Sequence, residues 1–155
     1  MAIPERWRGH EPLPEGIKGS LEELTPIFER EGVILAYLFG SLAKAGEVGG
    51  RESQDVDLAL VTEEKTAWKL WDEISLALGT ERLDIVDLKK ASPVLLFEII
   101  RSGRLIYSSD EAARERFVLN VLHLYRDTAP LRRRQRKALK RRMDRWVRIE
   151  SIEAG

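Results

Sequence analysis

Gly40 and Ser41 stand between an apolar run, residues 33–39, and a predicted helical turn. Backbone N–H groups at the start of a helix are free to bind an anion, and a glycine lets the anion approach closely. A Gly-Ser pair alone is most often only a turn. At the exit of a buried strand it also has the composition of a phosphate-binding loop, and this is the first candidate site.

Asp55 and Asp57 lie on the next predicted strand, residues 55–61. The two-residue period of a strand places both carboxylates on one face, about 7 Å apart along the backbone. Such acids are costly in a strand otherwise made of Val, Leu and Ala unless a cation balances them. Mg²⁺ prefers oxygen ligands, so this pair predicts a magnesium site.

A third carboxylate is expected from the following strand, residues 83–88. Asp84 could reach the same metal and orient or deprotonate an attacking hydroxyl. Asp87 on the same strand is the alternative third carboxylate. Strand parity puts Asp84 and Asp87 on opposite faces, so only one of them can join the site.

The elements that position these residues alternate between strand and helix, which predicts an α/β (α+β) fold with one small mixed sheet flanked by helices. Residues 1–19 read as an irregular arm, residues 20–108 as the main domain, and residues 109–155 as a C-terminal helical extension that is basic from 131. The capping box from Ser20 to Glu23 predicts a helix that ends near Gly32. Further helices are predicted over 63–78 before Gly79, from Ser92-Pro93 to Gly103, over 110–128 and over 131–149, with a short edge strand over 105–107.

Composition excludes several classes of function. The chain contains no cysteine, so disulfide scaffolds, thiolate metal sites and cysteine nucleophiles are excluded. With 43% hydrophobic and 34% charged residues it is not a mostly disordered chain. No apolar run approaches the roughly 20 residues of a membrane helix, and no signal peptide is evident, so we expect a soluble cytoplasmic protein without a membrane partner. A single asparagine and two glutamines are typical of a heat-adapted protein.

The formal net charge of zero hides two unlike halves. Residues 1–100 carry 11 basic and 19 acidic side chains, a net of −8, whereas residues 101–155 carry 15 and 7, a net of +8. Ten of these basic residues lie between Leu131 and Arg148. They form either a solvated helix face, or a surface for an acidic protein or for RNA phosphates.

The order of these motifs resembles the nucleotidyltransferase superfamily that includes DNA polymerase beta, and more closely its minimal nucleotidyltransferase (MNT) antitoxins. The resemblance is carried by the segments LFGS (38–41), DVDLA (55–59) and LDIVDL (83–88) and by the run from Ser92-Pro93 to Tyr107. It covers roughly residues 21–124 and implies a polymerase-beta-like nucleotidyltransferase fold. The match to the family favours Asp84 over Asp87.

The resemblance implies that Gly40 and Ser41 hold ATP, that Asp55 and Asp57 bind two magnesium ions, and that Asp84 completes the metal site and activates the acceptor. It further implies transfer of AMP to a tyrosine of a HEPN ribonuclease toxin, as the antitoxin of a type VII-like toxin–antitoxin pair.

A spacer of 13 residues between Ser41 and Asp55 is longer than is usual in the family, and Leu42 stands where relatives often have Arg. Two alternatives stay open: a binding antitoxin that acts by contact through the basic helix, or nucleotidyl transfer to a small molecule or RNA. Homo-oligomer formation also stays open, and RNA is not favoured as a partner.

Overall fold

The computed structural model describes residues 17–44, 55–64 and 67–153. The loop that contains Gly46, Gly49 and Gly50 and most of the predicted N-terminal arm, residues 1–16, lie outside these ranges. Along the chain the elements are α1 (Ile17–Glu22), α2 (Thr25–Arg30), β1 (Val33–Phe39), α3 (Gly40–Lys44), β2 (Val56–Thr62), a 3-10 turn (Ala67–Leu70), α4 (Trp71–Leu78), β3 (Leu83–Asp87), α5 (Pro93–Ser102), β4 (Arg104–Ser108), α6 (Glu111–Asp127) and α7 (Ala129–Glu153).

The four strands form one mixed sheet in the order β3-β2-β1-β4. β1 pairs antiparallel with β2 on one side and with β4 on the other, and β2 pairs parallel with β3. The predicted α/β fold, with a mixed sheet, flanking helices and a C-terminal helical extension, is therefore confirmed. The predicted edge strand is β4.

Helices cover both faces of the sheet, so β1 and β2 are buried almost throughout. On the first face, side chains of α1, α2, α3 and α4 pack on the sheet; the most deeply buried include Leu24, Phe28, Leu58 and Ile74. On the second face, Leu96 and Ile99 of α5 and Val121 of α6 pack over Tyr37 and Ala59. From Leu35 onward in β1, and throughout β2, residues with odd numbers therefore point to the α5–α6 face. Val33 lies before an irregularity of β1 and packs on the first face instead.

The predicted capping box does not begin a helix. α1 begins at Ile17, so Ser20 lies inside it, and the chain leaves the helix before α2 starts at Thr25. Pro26 lies in the first turn of α2, where its missing N–H costs nothing. In one continuous helix the same proline would remove a hydrogen bond and clash with the preceding turn.

The other boundaries are close to the predictions. Instead of a helix over 63–78, a 3-10 turn precedes a shorter α4, which Gly79 ends with a left-handed φ of 69°. Ser92 caps α5 as predicted, since its hydroxyl accepts a hydrogen bond from Leu95 N at 3.3 Å. α7 extends to Glu153, beyond the predicted end at 149. Within the described ranges no helix combines the length and the apolar character needed to cross a membrane.

Candidate active site

Asp57 and Asp84 are register partners on the neighbouring parallel strands β2 and β3. Adjacent strands lie about 4.8 Å apart, and register partners in a parallel pair point to the same face. Because Ala59 and Val86 lie two residues further along on the α5–α6 face, both carboxylates belong to that face. Asp57 is half-buried and Asp84 is exposed. The sheet thus brings two of the predicted residues together.

Asp55 lies just before β2 and is exposed. Arg82, just before β3, donates from Nε to Asp55 Oδ1 at 2.9 Å. The backbone fixes this pair, because Val56 N donates to the Arg82 carbonyl at 2.9 Å. Sequence reasoning missed Arg82. Its only local signal is a cation two residues before Asp84, and the pairing that brings it to Asp55 depends on strand register.

Like charges surround the carboxyl of Asp57. Burial raises its pKa most, and the negative charges of Asp84 and Asp55 raise it further, to about 6. Each nearby carboxylate disfavours the charged form of the other. A cation at this point would therefore be stabilised by all three charges.

Gly40 lies against the carboxylate of Asp57. Its φ is +72°, and a Cβ added to it would lie 2.2 Å from Asp57 Oδ2. The contact follows from register, since Phe39 pairs with Asp57 across β1 and β2. Ser41 follows in the first turn of α3. The predicted phosphate-binding pair and the carboxylates therefore meet at one end of the sheet.

Asp87 lies away from this cluster. It pairs with Leu60, three residues beyond Asp57 along β2, and its Oδ1 accepts a hydrogen bond from Lys89 N at 3.0 Å. Of the two candidates on β3, only Asp84 is brought to Asp57.

The donor set is made of carboxylate oxygens, which suit a hard divalent cation. Over the three described ranges, no group of three or more acidic or histidine side chains could hold a metal ion by itself. The site instead offers adjoining carboxylates from Asp57 and Asp84, with Asp55 paired to Arg82 close by. Such an arrangement fits a cation that takes its remaining ligands from water or from a bound phosphate.

Comparison with protein-family models matches residues 22–112 to the family described as polymerase beta, nucleotidyltransferase. The chain is also 26% identical over 95 residues to the protein adenylyltransferase MntA of Shewanella oneidensis. That match covers 59% of this chain and 65% of MntA, slightly less than two thirds of the relative's length.

Two solved structures share the fold. A chain in the crystal structure of a toxin–antitoxin pair with AMP-PNP superposes with a TM-score of 0.63 at 21% identity, covering 77% of this chain and 98% of that one. A chain in the complex of a tri-AMPylated Shewanella oneidensis HEPN toxin with an MNT antitoxin gives 0.62 at 21% identity, covering 80% and 98%. These likenesses confirm the polymerase-beta-like fold.

The first prediction concerns the contact between Gly40 and Asp57. Gly40→Ala and Gly79→Ala both place a side chain at a positive φ and should each cost about 1–2 kcal/mol of strain. Nothing lies within 4 Å of a Cβ at Gly79, whereas a Cβ at Gly40 meets Asp57. In urea denaturation we expect the larger loss for Gly40→Ala. The excess should shrink when both are measured in an Asp57→Ala background, and equal losses in the wild-type background would contradict the contact.

The second prediction concerns pH. The pKa of Asp57 is about 6 in the folded chain and about 3.9 in an unfolded one. The neutral form therefore contributes stability that is fully present below pH ~3.9 and is lost as the pH rises through about 6. In buffer without divalent cations, Asp57→Asn should gain Tm relative to wild type between pH 4.5 and 7.5. A constant difference in Tm across that range would contradict the raised pKa of Asp57.

Proposed function

The chain belongs to the polymerase beta nucleotidyltransferase family, and on that premise we propose that it transfers AMP from ATP to a protein hydroxyl. The proposed acceptor is a tyrosine of a HEPN ribonuclease toxin, which makes the chain an antitoxin. The observation that carries the proposal is the Asp57–Asp84 register pair beside Gly40. The relative named as a protein adenylyltransferase, and solved relatives that contain AMP-PNP or an AMPylated HEPN toxin, support the choice of nucleotide and acceptor.

Asp55, Asp57 and Asp84 would hold the divalent cation, which we propose is Mg²⁺, with two ions per site. Mg²⁺ is usually bound by one or two carboxylates together with substrate phosphates, which agrees with a site that does not close around a metal by itself. When bound, the ions neutralise charge on the triphosphate and on the leaving pyrophosphate. Asp55 would have to exchange its ion pair with Arg82 for this ligand role.

The chain's own groups have three tasks in the transfer. Gly40 and Ser41, at the start of α3, would bind the β- and γ-phosphates. The acceptor oxygen then forms a bond to the α-phosphorus while the bond from that phosphorus to the β-phosphate oxygen breaks, and pyrophosphate leaves. Asp84 would take the proton of the acceptor hydroxyl, since it is exposed and adjoins Asp57.

The third prediction tests these assignments. Asp84→Asn should lower AMP transfer by roughly 10²–10⁴-fold, the usual contribution of a general base. Asp57→Asn should abolish detectable transfer because it removes a central metal ligand. Asp87→Asn is the matched control, as it changes an aspartate on the same strand that lies away from Asp57. The measurement is transfer of labelled AMP to a purified HEPN toxin, the proposed acceptor.

Two results would contradict the proposal. One is wild-type transfer by Asp57→Asn. The other is a loss in Asp87→Asn as large as that in Asp84→Asn.

A second candidate function, neutralisation by contact, is favoured by α7. Its residues 133–152 are all exposed, including Trp146 at 72% and Ile152 at 78%. Leu139, Met143, Trp146 and Ile149 recur at helical spacing and form one apolar stripe. Exposed apolar surface of this kind marks a site for a partner.

The positive charge of α7 indicates which kind of partner would bind it. The helix carries ten basic residues against Asp144, Glu150 and Glu153, a net of +7, and most of the basic side chains lie opposite the apolar stripe. Two copies of α7 would therefore repel one another, and a nucleic acid would leave the apolar stripe uncovered. An apolar groove with an acidic rim on a partner protein satisfies both faces.

Among the described residues, the side-chain contacts that hold α7 to the domain lie at its start. The Arg132 guanidinium lies 3.6 Å above the ring of Tyr125 and donates to the Tyr125 carbonyl at 2.6 Å and to Thr128 Oγ1 at 2.7 Å. Tyr125 in turn stacks on Phe97 of α5 at 3.9 Å. The rest of α7, residues 133–152, is exposed, so a partner can reach it.

The fourth prediction tests α7 as the contact surface. Replacing Leu139, Met143 and Trp146 together by serine should weaken binding of the HEPN protein by at least about tenfold, because these side chains supply the apolar contact. The control replaces the exposed Trp68 and Leu76 by serine, and should leave binding unchanged. Isothermal titration calorimetry in the Asp57→Asn background measures contact without transfer.

Neutralisation assays separate the two candidates. If Asp57→Asn still silences the ribonuclease and the triple serine variant does not, contact is sufficient and AMP transfer is not required. Unchanged affinity in the triple variant would exclude α7 as the contact surface.

A further inference from the structure

α7 meets α6 at a junction that contains a proline. Thr128 is the C-cap of α6, and α7 begins at Ala129. Pro130 has no N–H with which to continue the hydrogen-bond ladder of α6, and a proline at such a point usually kinks a helix. Over residues 129–152, every residue except Ala129 and Arg132 is exposed. Because packing along its length does not hold α7, its orientation depends on this junction.

The guanidinium of Arg132 spans the junction. It donates from Nη1 to Thr128 Oγ1 at 2.7 Å and from Nη2 to the Tyr125 carbonyl at 2.6 Å, and its Cζ lies 3.6 Å from the centroid of the Tyr125 ring. Thr128 is itself fixed, since its hydroxyl donates to the carbonyl of Leu124 at 2.8 Å. A planar guanidinium can make these three contacts at once, whereas the ammonium of a lysine has neither the fork of donors nor the flat face.

The contact of Arg132 with Tyr125 continues into the domain. The rings of Tyr125 and Phe97 are stacked, with their centroids 3.9 Å apart and 10° between their planes. Phe97 belongs to α5, whose Leu96 and Ile99 are buried against the sheet. Arg132, Tyr125 and Phe97 therefore form a three-layer stack that joins α7 to α5 across α6.

The three-layer stack also sets the direction in which the apolar stripe of α7 faces. Leu139 follows Arg132 by seven residues, nearly two helical turns, so both side chains project from the same side of α7. Met143 and Trp146 continue this side at intervals of four and three residues. A rotation of α7 that broke the contact of Arg132 with Tyr125 would therefore also turn the stripe.

We propose that Arg132 is a positioning residue for partner binding, an inference that rests on the proposed contact function of α7. By closing the junction at Pro130, its guanidinium holds the apolar stripe in the orientation that fits the partner protein. A helix that is already held in place loses less conformational entropy on binding. Only the molecules in the fitting orientation bind, so a loss of the three-layer stack that lowers their fraction to about one tenth would raise the Kd about tenfold.

The first experiment measures the orientation of α7 without a partner. The chain has no cysteine, so nitroxide labels can be attached through Asp72→Cys on α4 and Lys140→Cys on α7, two exposed positions. Pulsed electron paramagnetic resonance on the full chain should give one narrow distribution of distances between the labels. Arg132→Ala and Arg132→Lys should both broaden it, because neither side chain can stack and fork. The matched control Arg133→Ala changes an exposed arginine beside it, and Tyr125→Phe keeps the stacked ring; both should match wild type.

The second experiment measures affinity for a purified HEPN toxin by isothermal titration calorimetry in the Asp57→Asn background. Arg132→Ala should weaken binding about tenfold, as the loss of the fitting orientation predicts. Arg133→Ala should weaken it much less. Both variants remove one positive charge at adjacent positions of α7, so the difference between them separates the three-layer stack from the charge of the helix.

Three results would overturn the inference: a wild-type distance distribution as broad as that of Arg132→Ala, a distribution that Arg132→Ala leaves unchanged, or equal losses of affinity in Arg132→Ala and Arg133→Ala. The proposed contact function can fail separately. If the triple serine variant of the stripe binds as tightly as wild type, α7 is not the contact surface, whatever the distances show. If that variant loses affinity and Arg132→Ala broadens the distances without weakening binding, the contact function stands and the positioning role falls.

Discussion

The carboxylates of Asp55, Asp57 and Asp84 repel one another, and the hydrogen bonds of a sheet covered on both faces hold them together. β2 and β3 are parallel and in register at Asp57 and Asp84, so the backbone at these two residues cannot separate without disturbing the strands. Burial and the neighbouring charges raise the pKa of Asp57 to about 6. Folding thus works against this repulsion, and a bound cation would relieve it.

The two faces of the sheet have different roles. The face covered by α1, α2 and α4 is almost wholly apolar and provides the rigid support of the strands. The α5–α6 face carries the carboxylates at one end, and a cavity lined by Tyr37 and Leu105 opens over β1 and β4. Gly40 joins the two, because its positive φ turns the chain from β1 into α3 directly against Asp57. The proposed phosphate and metal sites can therefore lie side by side at this end of the sheet. α7 is anchored to the same α5–α6 layer by the stack of Arg132 on Tyr125, and its residues 133–152 are exposed.

Local sequence signals predicted much of this arrangement. The continuous apolar run of β1 and the Ser92 cap depend on neighbouring residues alone, and both were confirmed. The capping box at Ser20 was wrong because α1 begins earlier, at Ile17, and the predicted helix is interrupted where Pro26 begins α2. Pairing between distant segments could not be predicted: the Arg82–Asp55 ion pair depends on the register of β2 and β3. For the same reason the choice between the two aspartates of β3 could not be derived from the residues without the family resemblance.

The most direct test of the account is a crystal structure of the full chain with a non-hydrolysable ATP analogue and Mn²⁺, located by anomalous scattering. The account predicts metal density at about 2.0–2.2 Å from carboxylate oxygens of both Asp57 and Asp84, with the triphosphate at Gly40 and Ser41. Density on Asp87 alone, or a triphosphate bound with no metal at Asp57 and Asp84, would contradict it.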